Sequence, residues 1–240
     1  MKIFFYIVNL LLITAIICSI TSCSNHDPLK GNGKLLTKDV QVGEFSKLEI
    51  EGFFKVILTQ GETPKLSIEA DENLIEYINV KVSNKKLKIR SKKNIRGSKD
   101  ISIYLTFNSL DQIMVSGYTS VSSAADLNFD KLNLELSGNC KLDMNLNCVG
   151  LNAEISGNSN AALSGAVLTA NFDVSGASKV EAFELYIDDL KLNASGNASA
   201  RVNIINKFDV NVSGAAGVEY QGTPEMKQET SGTATVTKIY

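Results

Sequence analysis

Leu134-Glu135-Leu136-Ser137-Gly138-Asn139-Cys140-Lys141-Leu142 is followed by Ala153-Glu154-Ile155-Ser156-Gly157-Asn158-Ser159-Asn160-Ala161, and then by Phe172-Asp173-Val174-Ser175-Gly176-Ala177-Ser178-Lys179-Val180. Around each Ser-Gly pair the three stretches agree column by column. The pair also stands at Ser116-Gly117, Ser195-Gly196, Ser213-Gly214 and Ser231-Gly232, and the seven glycines are 21, 19, 19, 20, 18 and 18 residues apart. A fixed period of that size marks a repeat architecture. Two residues before the glycines lie Val115, Leu136, Ile155, Val174, Ala194, Val212 and Thr230, and four after them lie Val121, Leu142, Ala161, Val180, Ala200, Val218 and Val236. Polar residues separate these columns, as in strands with one face inward. Small residues (Thr119, Cys140, Ser159, Ser178, Ala198, Ala216 and Ala234) fill the position two past each glycine. An eighth pair, Ser164-Gly165, is out of register and reads as a loop.

The period is too short for a strand-helix-strand unit and too regular for unrelated hairpins. It suits one turn of a solenoid whose coils stack at strand spacing, about 4.8 Å. The expected fold is therefore all-β: a right-handed parallel β-helix with coils of about 18–21 residues, its hand following the general crossover preference. Glycine suits a corner that needs positive φ or close backbone approach. Only 3 prolines occur in 240 residues, consistent with long runs of paired strand.

Upstream, residues 34–110 form a less regular part of the same domain. Leu48 and Ile50, then Phe54, Val56 and Leu58, alternate with an interruption at Gly52. Turns are expected at Thr59–Glu62 and Ser83-Asn84, and Asp71 to Ile78 is the one helix-like piece. Val80, Val82, Leu87, Ile89, Ile101, Ile103, Leu105 and Phe107 resume the alternation. The domain so read covers 34–240, with the Ser-Gly coils in 111–240. At 44% hydrophobic and 21% charged residues the chain has ample apolar surface to fold, and a net charge of −2 gives no reason to expect nucleic acid.

The first 22 residues read as a lipoprotein signal peptide. Lys2 precedes an apolar run from Ile3 to Ile20, and Ile20-Thr21-Ser22-Cys23 resembles the bacterial lipobox, with cleavage before a lipidated Cys23. Acyl chains on Cys23 would anchor the protein stably to a membrane. The expected location is the cell envelope, as an outer-membrane lipoprotein facing the periplasm or the surface. Residues 23–33, with Asn, His, Asp, Pro and glycines, read as a flexible tether. Cys140 and Cys148 remain in the domain. The envelope permits a disulfide between them, but Cys140 occupies a small-residue column, which favours packing. The one His, His26, lies in the tether and no Cys-x-x-Cys occurs, so no metal or other cofactor is expected.

Two surface patterns are candidates for binding. Lys85, Lys86, Lys88, Arg90, Lys92 and Lys93 belong to a basic run that would suit an anionic glycan, lipopolysaccharide or a membrane surface. Such runs are commonly solvated faces, and lysines also blunt sheet edges. Glu135, Glu154 and Asp173 stack outward with Asn193, Asn211 and Glu229, and could hold a cation, although no clustered oxygen-ligand loop accompanies them. Glu181, Arg201 and Glu219 alternate in sign along another column.

The stretch Glu44-Phe45, Leu48-Glu49-Ile50-Glu51-Gly52, Val56-Ile57-Leu58-Thr59-Gln60-Gly61 and Glu69-Ala70-Asp71-Glu72-Asn73-Leu74, with the repeated Ser-Gly-Asn/Ala turns, resembles the putative auto-transporter adhesin, head GIN domain family. The similarity spans roughly residues 37 to 237. It implies a Bacteroidetes-type envelope protein with a β-helix fold, and it brings no catalytic motif. The leading expectation is a lipid-anchored adhesin or binding module that meets a glycan or surface protein through its solenoid faces. A polysaccharide lyase or hydrolase on the same scaffold is an alternative, weakened by the absence of Trp and of a His in the folded region. A structural envelope component without a small ligand is the third. The final coil, where Gln228 and Thr230 replace apolar residues, is expected to fray or to form a cap.

Overall fold

The computed structural model describes residues 28–97 and 99–240; the signal segment and Cys23 lie outside them. The chain forms a β-solenoid of about seven stacked parallel coils. Strands Leu127–Leu136, Lys141–Ile155, Asn160–Val174, Lys179–Ala194 and Ser199–Val212 lie side by side. Their register places Leu134, Ala153, Phe172, Leu192 and Val210 on adjacent rungs, all buried. The small column at the corner is also inside: Thr119, Cys140, Ser159, Ser178, Ala198 and Ala216 are each at most 2% exposed. Each strand thus sends alternate side chains into one continuous core.

The corner itself is a backbone ladder. The N–H groups of Asn139, Asn158 and Ala177 donate to the carbonyls of Gly117, Gly138 and Gly157 at 2.9, 2.8 and 2.8 Å. Gly157 has φ +79°, and a Cβ there would lie 2.5 Å from the Gly138 carbonyl oxygen. Both the left-handed conformation and the coil-to-coil approach therefore require glycine. The ladder starts one rung before the Ser-Gly repeat, at Gly52, whose carbonyl accepts the Tyr118 N–H at 2.8 Å.

Ser164-Gly165 corrects the expectation of a loop. It lies inside the Asn160–Val174 strand, where Gly165 has φ +111° and pairs with Leu146 and Leu185. A Cβ at Gly165 would collide with the Leu146 carbonyl, so this glycine makes a second close approach between coils. Gly165 stands eight residues past the corner glycine Gly157, in mid-strand, and the pairing with the next coil shifts between Ala162 and Gly165. The helix-like piece is also shorter than expected. One 3-10 turn, Ile75–Tyr77, lies between strands Lys65–Asp71 and Ile78–Ser83.

In the N-terminal part, stacking order departs from chain order. Lys47–Gly52 pairs in parallel with Lys86–Ser91 on one side and Gln112–Gly117 on the other. Lys55–Gln60 likewise lies between Ser102–Phe107 and Ser120–Ser123. The coil at 47–60 is therefore inserted between coils formed by 86–107 and 112–123. Antiparallel strands then cover this end, with Ile78–Ser83 on Lys86–Ser91, and Lys65–Asp71 between Ser102–Phe107 and Leu35–Val40. Residues read as tether are docked from Leu29 onward. Leu29 and Lys30 pair with Ile95 and Arg96, and the Gly33 N–H donates to Asp71 Oδ1 at 2.6 Å.

At the other end, Glu225–Thr230 and Thr235–Lys238 stay hydrogen-bonded to the coil before them. Their side chains are largely exposed, with only Met226, Ala234 and Val236 packed against the core. The last coil is thus a paired, polar end.

Gly157→Ala should lower unfolding free energy by more than about 2 kcal/mol, combining the left-handed backbone cost with the carbonyl contact. Gly150→Ala, where the nearest atom would be 3.6 Å away, should be neutral or stabilising by about 0.5 kcal/mol. Urea denaturation of the two variants checks both; equal midpoints would refute the ladder as the stiff element.

Candidate binding surfaces on the solenoid sides

The six basic candidates do not converge. Lys85 sits with Asn84 in a two-residue hairpin turn, both at positive φ, 57° and 52°. Lys86 and Lys88 face outward between the buried Leu87 and Ile89, and each ammonium lies 3.1 Å from a Glu49 carboxylate oxygen. Burial alone pushes the Glu49 carboxyl up, but the two lysines outweigh it and hold the group below its ordinary value. Arg90 is exposed, next to Glu51 on one neighbouring strand and Asn79 on the other. Lys92 donates to the Glu76 carbonyl at 3.1 Å, and the Lys93 ammonium lies 4.7 Å from the Tyr77 ring centre. Four of the six thus have partners within the fold.

The acidic column shares its face with part of this basic run. Register carries one row of outward residues from Lys88 through Glu49, Met114, Glu135, Glu154 and Asp173 to Asn193, Asn211 and Glu229. Amides close off the carboxylates: Gln112 Nε2 donates to Glu135 at 3.0 Å and Asn193 Nδ2 to Asp173 at 2.7 Å. Beside them Asn171 donates to Asn152 at 2.9 Å and Asn152 to Asn133 at 3.0 Å. Among the described residues no group of three or more metal-ligating side chains is placed around a common cation position. On the next face Arg201 bridges Glu219 at 2.9 Å and Glu181 at 3.4 Å, which accounts for the alternating signs there.

Among the described residues, two of the lateral grooves are large. The first lies along the glycine corner and has a volume of about 700 Å³. Phe53 and Tyr118, each directly after a ladder glycine, stack with ring centres 5.0 Å apart and planes within 7°. They are 37% and 57% exposed. Lys55, Asn139, Lys141, Asn158 and Lys179 line the groove with them. Aligning Gly52 with the later ladder glycines would have paired Phe53 with Tyr118; the missing serine before Gly52 hid it.

The second groove, about 860 Å³, runs along the edge where Val149, Leu168, Tyr186 and Ile205 project into solvent over Leu110 and Phe129. These residues interrupt the period-two pattern and had no signal in the Ser-Gly alignment. Cys148 lies at this edge and Cys140 at the glycine corner; both are free and buried, and burial pushes both thiols up.

Glu49 links Lys86 and Lys88 across two strands. Because its folded value is depressed, its contribution is fully present above the unfolded value and is lost as pH falls through the folded one. Wild type should therefore lose stability below about pH 4.5 more steeply than Glu49→Gln, with a difference near neutral pH of about 1 kcal/mol. Denaturation midpoints across that acid range check the sign.

The chain matches the profile of the family described as putative auto-transporter adhesin, head GIN domain, over residues 44–224. Its fold is shared by a putative adhesin of Bacteroides fragilis at 24% identity, with a TM-score of 0.81 over 88% of this chain and 100% of that one. A putative adhesin of Parabacteroides merdae, also at 24% identity, has a TM-score of 0.67 over 89% and 100% of the two chains. A structure described as a putative lipid binding protein of Parabacteroides distasonis is 19% identical, with a TM-score of 0.72 over 89% and 100%. No curated protein matches the chain. With the family profile covering most of the solenoid, from the inserted coil at 47–60 to just before the last coil at 225–238, the chain belongs to the putative auto-transporter adhesin, head GIN domain family.

Proposed function

We propose that this protein is a lipid-anchored adhesin of the cell envelope. Cys23 carries the lipid, and the solenoid presents its sides to a partner as an outer-membrane lipoprotein. The observation that carries the binding role is the exposed Phe53–Tyr118 pair beside the open groove on the glycine corner. Large aromatic rings left uncovered on a rigid scaffold are characteristic of recognition surfaces. Family membership supports the adhesin reading, and the lipobox-like Ile20-Thr21-Ser22-Cys23 supports the anchor.

Cys23→Ser should move the protein from the membrane fraction to the soluble fraction of the envelope; retention in the membrane would refute lipid anchoring. Beads coated with bilayer and carrying the full-length lipidated protein should adhere to cell surfaces or arrayed glycans. Phe53→Ala/Tyr118→Ala should reduce adhesion on the order of tenfold. Failure of the wild-type beads to adhere to any surface would refute the adhesin reading.

A further inference from the structure

We infer that the groove along the glycine corner receives a linear acidic polysaccharide carrying one carboxylate per disaccharide. The inference rests on the adhesin reading above and assigns its ligand class and contact residues. Strand register places Lys55, Ser120, Lys141, Asn160 and Lys179 on five successive rungs. A lysine therefore stands on every second rung, and two rungs amount to roughly 9.6 Å. That distance matches the length of an extended disaccharide. A polymer lying along the solenoid axis would bring one carboxylate to each lysine and place its uncharged sugars opposite Ser120 and Asn160.

The rungs are fixed by backbone bonds at the lysines themselves. The N–H groups of Lys141 and Lys179 donate to the carbonyls of Thr119 and Ser159 at 2.9 and 2.8 Å, and that of Asn160 to Cys140 at 2.8 Å. The charge spacing is thus set by the fold. Three lysines line the groove against one carboxylate, Asp100. Lys179 is bonded to Glu181, whereas Lys55 and Lys141 have no ion-pair partner among the described residues. Asn139 and Asn158, exposed on the neighbouring column, offer amide donors and acceptors to sugar hydroxyls. Phe53 and Tyr118 stand at one end and supply an apolar ring surface of the kind that packs against a sugar ring. A polymer charged on every sugar would place its intervening carboxylates against the Ser120 and Asn160 rungs, with no cation to meet them.

The test uses the full-length lipidated protein in detergent micelles, titrated with hyaluronan dodecasaccharide, which has one carboxylate per disaccharide. Parallel arms use the same oligosaccharide with its carboxyls reduced to alcohols, polygalacturonate of equal length, and a chondroitin sulfate dodecasaccharide to separate sulfate from carboxylate recognition. Hyaluronan should bind saturably and more tightly than polygalacturonate, and carboxyl reduction should abolish binding. Chondroitin sulfate should bind no more than a few-fold tighter than hyaluronan; strong binding of it alone would overturn the carboxylate assignment. Lys55→Gln/Lys141→Gln should weaken hyaluronan binding by about tenfold, Lys55→Arg/Lys141→Arg should retain it, and Lys191→Gln on another face should leave it unchanged. Equal binding of the carboxyl-reduced polymer, tighter binding of polygalacturonate, or indifference to the glutamine pair would overturn the inference. If hyaluronan does not bind while beads carrying the protein still adhere to cells, this inference falls and the adhesin reading stands. If adhesion is also absent on every surface, the adhesin reading falls with it.

Discussion

From Gly52 to Gly214, the carbonyl of each ladder glycine accepts the N–H that follows the next ladder glycine, ending at Thr233. At the rungs from Gly117 onward, a Cβ would lie between 2.5 and 3.0 Å from the carbonyl below. This contact holds coils together at the place where the chain changes direction, and it leaves no space for slippage. A one-residue slip in any coil would turn its core residues to solvent and its polar residues inward. Register then decides everything that stacks, from the buried Leu134–Ala153–Phe172 column to the Arg201 bridge between Glu181 and Glu219.

A parallel stack held this way still has two ends, and unpaired strand edges invite association. The chain treats them differently. At the N-terminal end, antiparallel strands cover the stack, and Leu29–Lys30 and the Gly33–Asp71 bond fasten the incoming segment to it. At the C-terminal end the inward positions become polar at Gln228 and Thr230, and Glu225, Lys227 and Glu229 project from the Glu225–Thr230 strand of the last coil. Charged side chains on a final strand discourage addition of another. The inserted coil at 47–60 joins the cap to the regular stack, since both neighbours pair with it in parallel.

The regular coils were legible in the sequence because the same backbone constraint recurs at every corner and admits one residue type. Where the constraint takes another form, the text is silent. Gly52 belongs to the ladder but follows Glu51 in place of serine, so the first rung and the Phe53–Tyr118 pair beside it escaped the alignment. Gly165 looked like a misplaced copy because it serves a different close approach, against Leu146. The insertion of 47–60 between later segments leaves no local mark, since strand alternation is the same whichever neighbour a strand has. Charge runs mislead for a related reason. Lys86 and Lys88 look like free cations in sequence, and only the pairing of their strand with Lys47–Gly52 brings Glu49 between them.

Stacking also limits what an outward column can contain. Like charges on adjacent rungs stand about 4.8 Å apart, well inside the roughly 8 Å screening length of physiological salt. The protein meets this in three ways: by alternating sign at Glu181, Arg201 and Glu219, by placing amide donors at the ends of the Glu135–Glu154–Asp173 run, and by skipping a rung between Lys55, Lys141 and Lys179. The third device differs from the others. Sign alternation and amide donors consume the charge inside the fold, whereas skipping a rung puts like charges roughly 9.6 Å apart, beyond that screening length, and leaves them accessible to solvent. A solenoid column that keeps its cations separate, with Lys179 bonded to Glu181 but Lys55 and Lys141 in no ion pair among the described residues, is therefore suited to an external polyanion of the same period. On such a scaffold, the spacing of the charges is inherited from the backbone and their number grows one coil at a time.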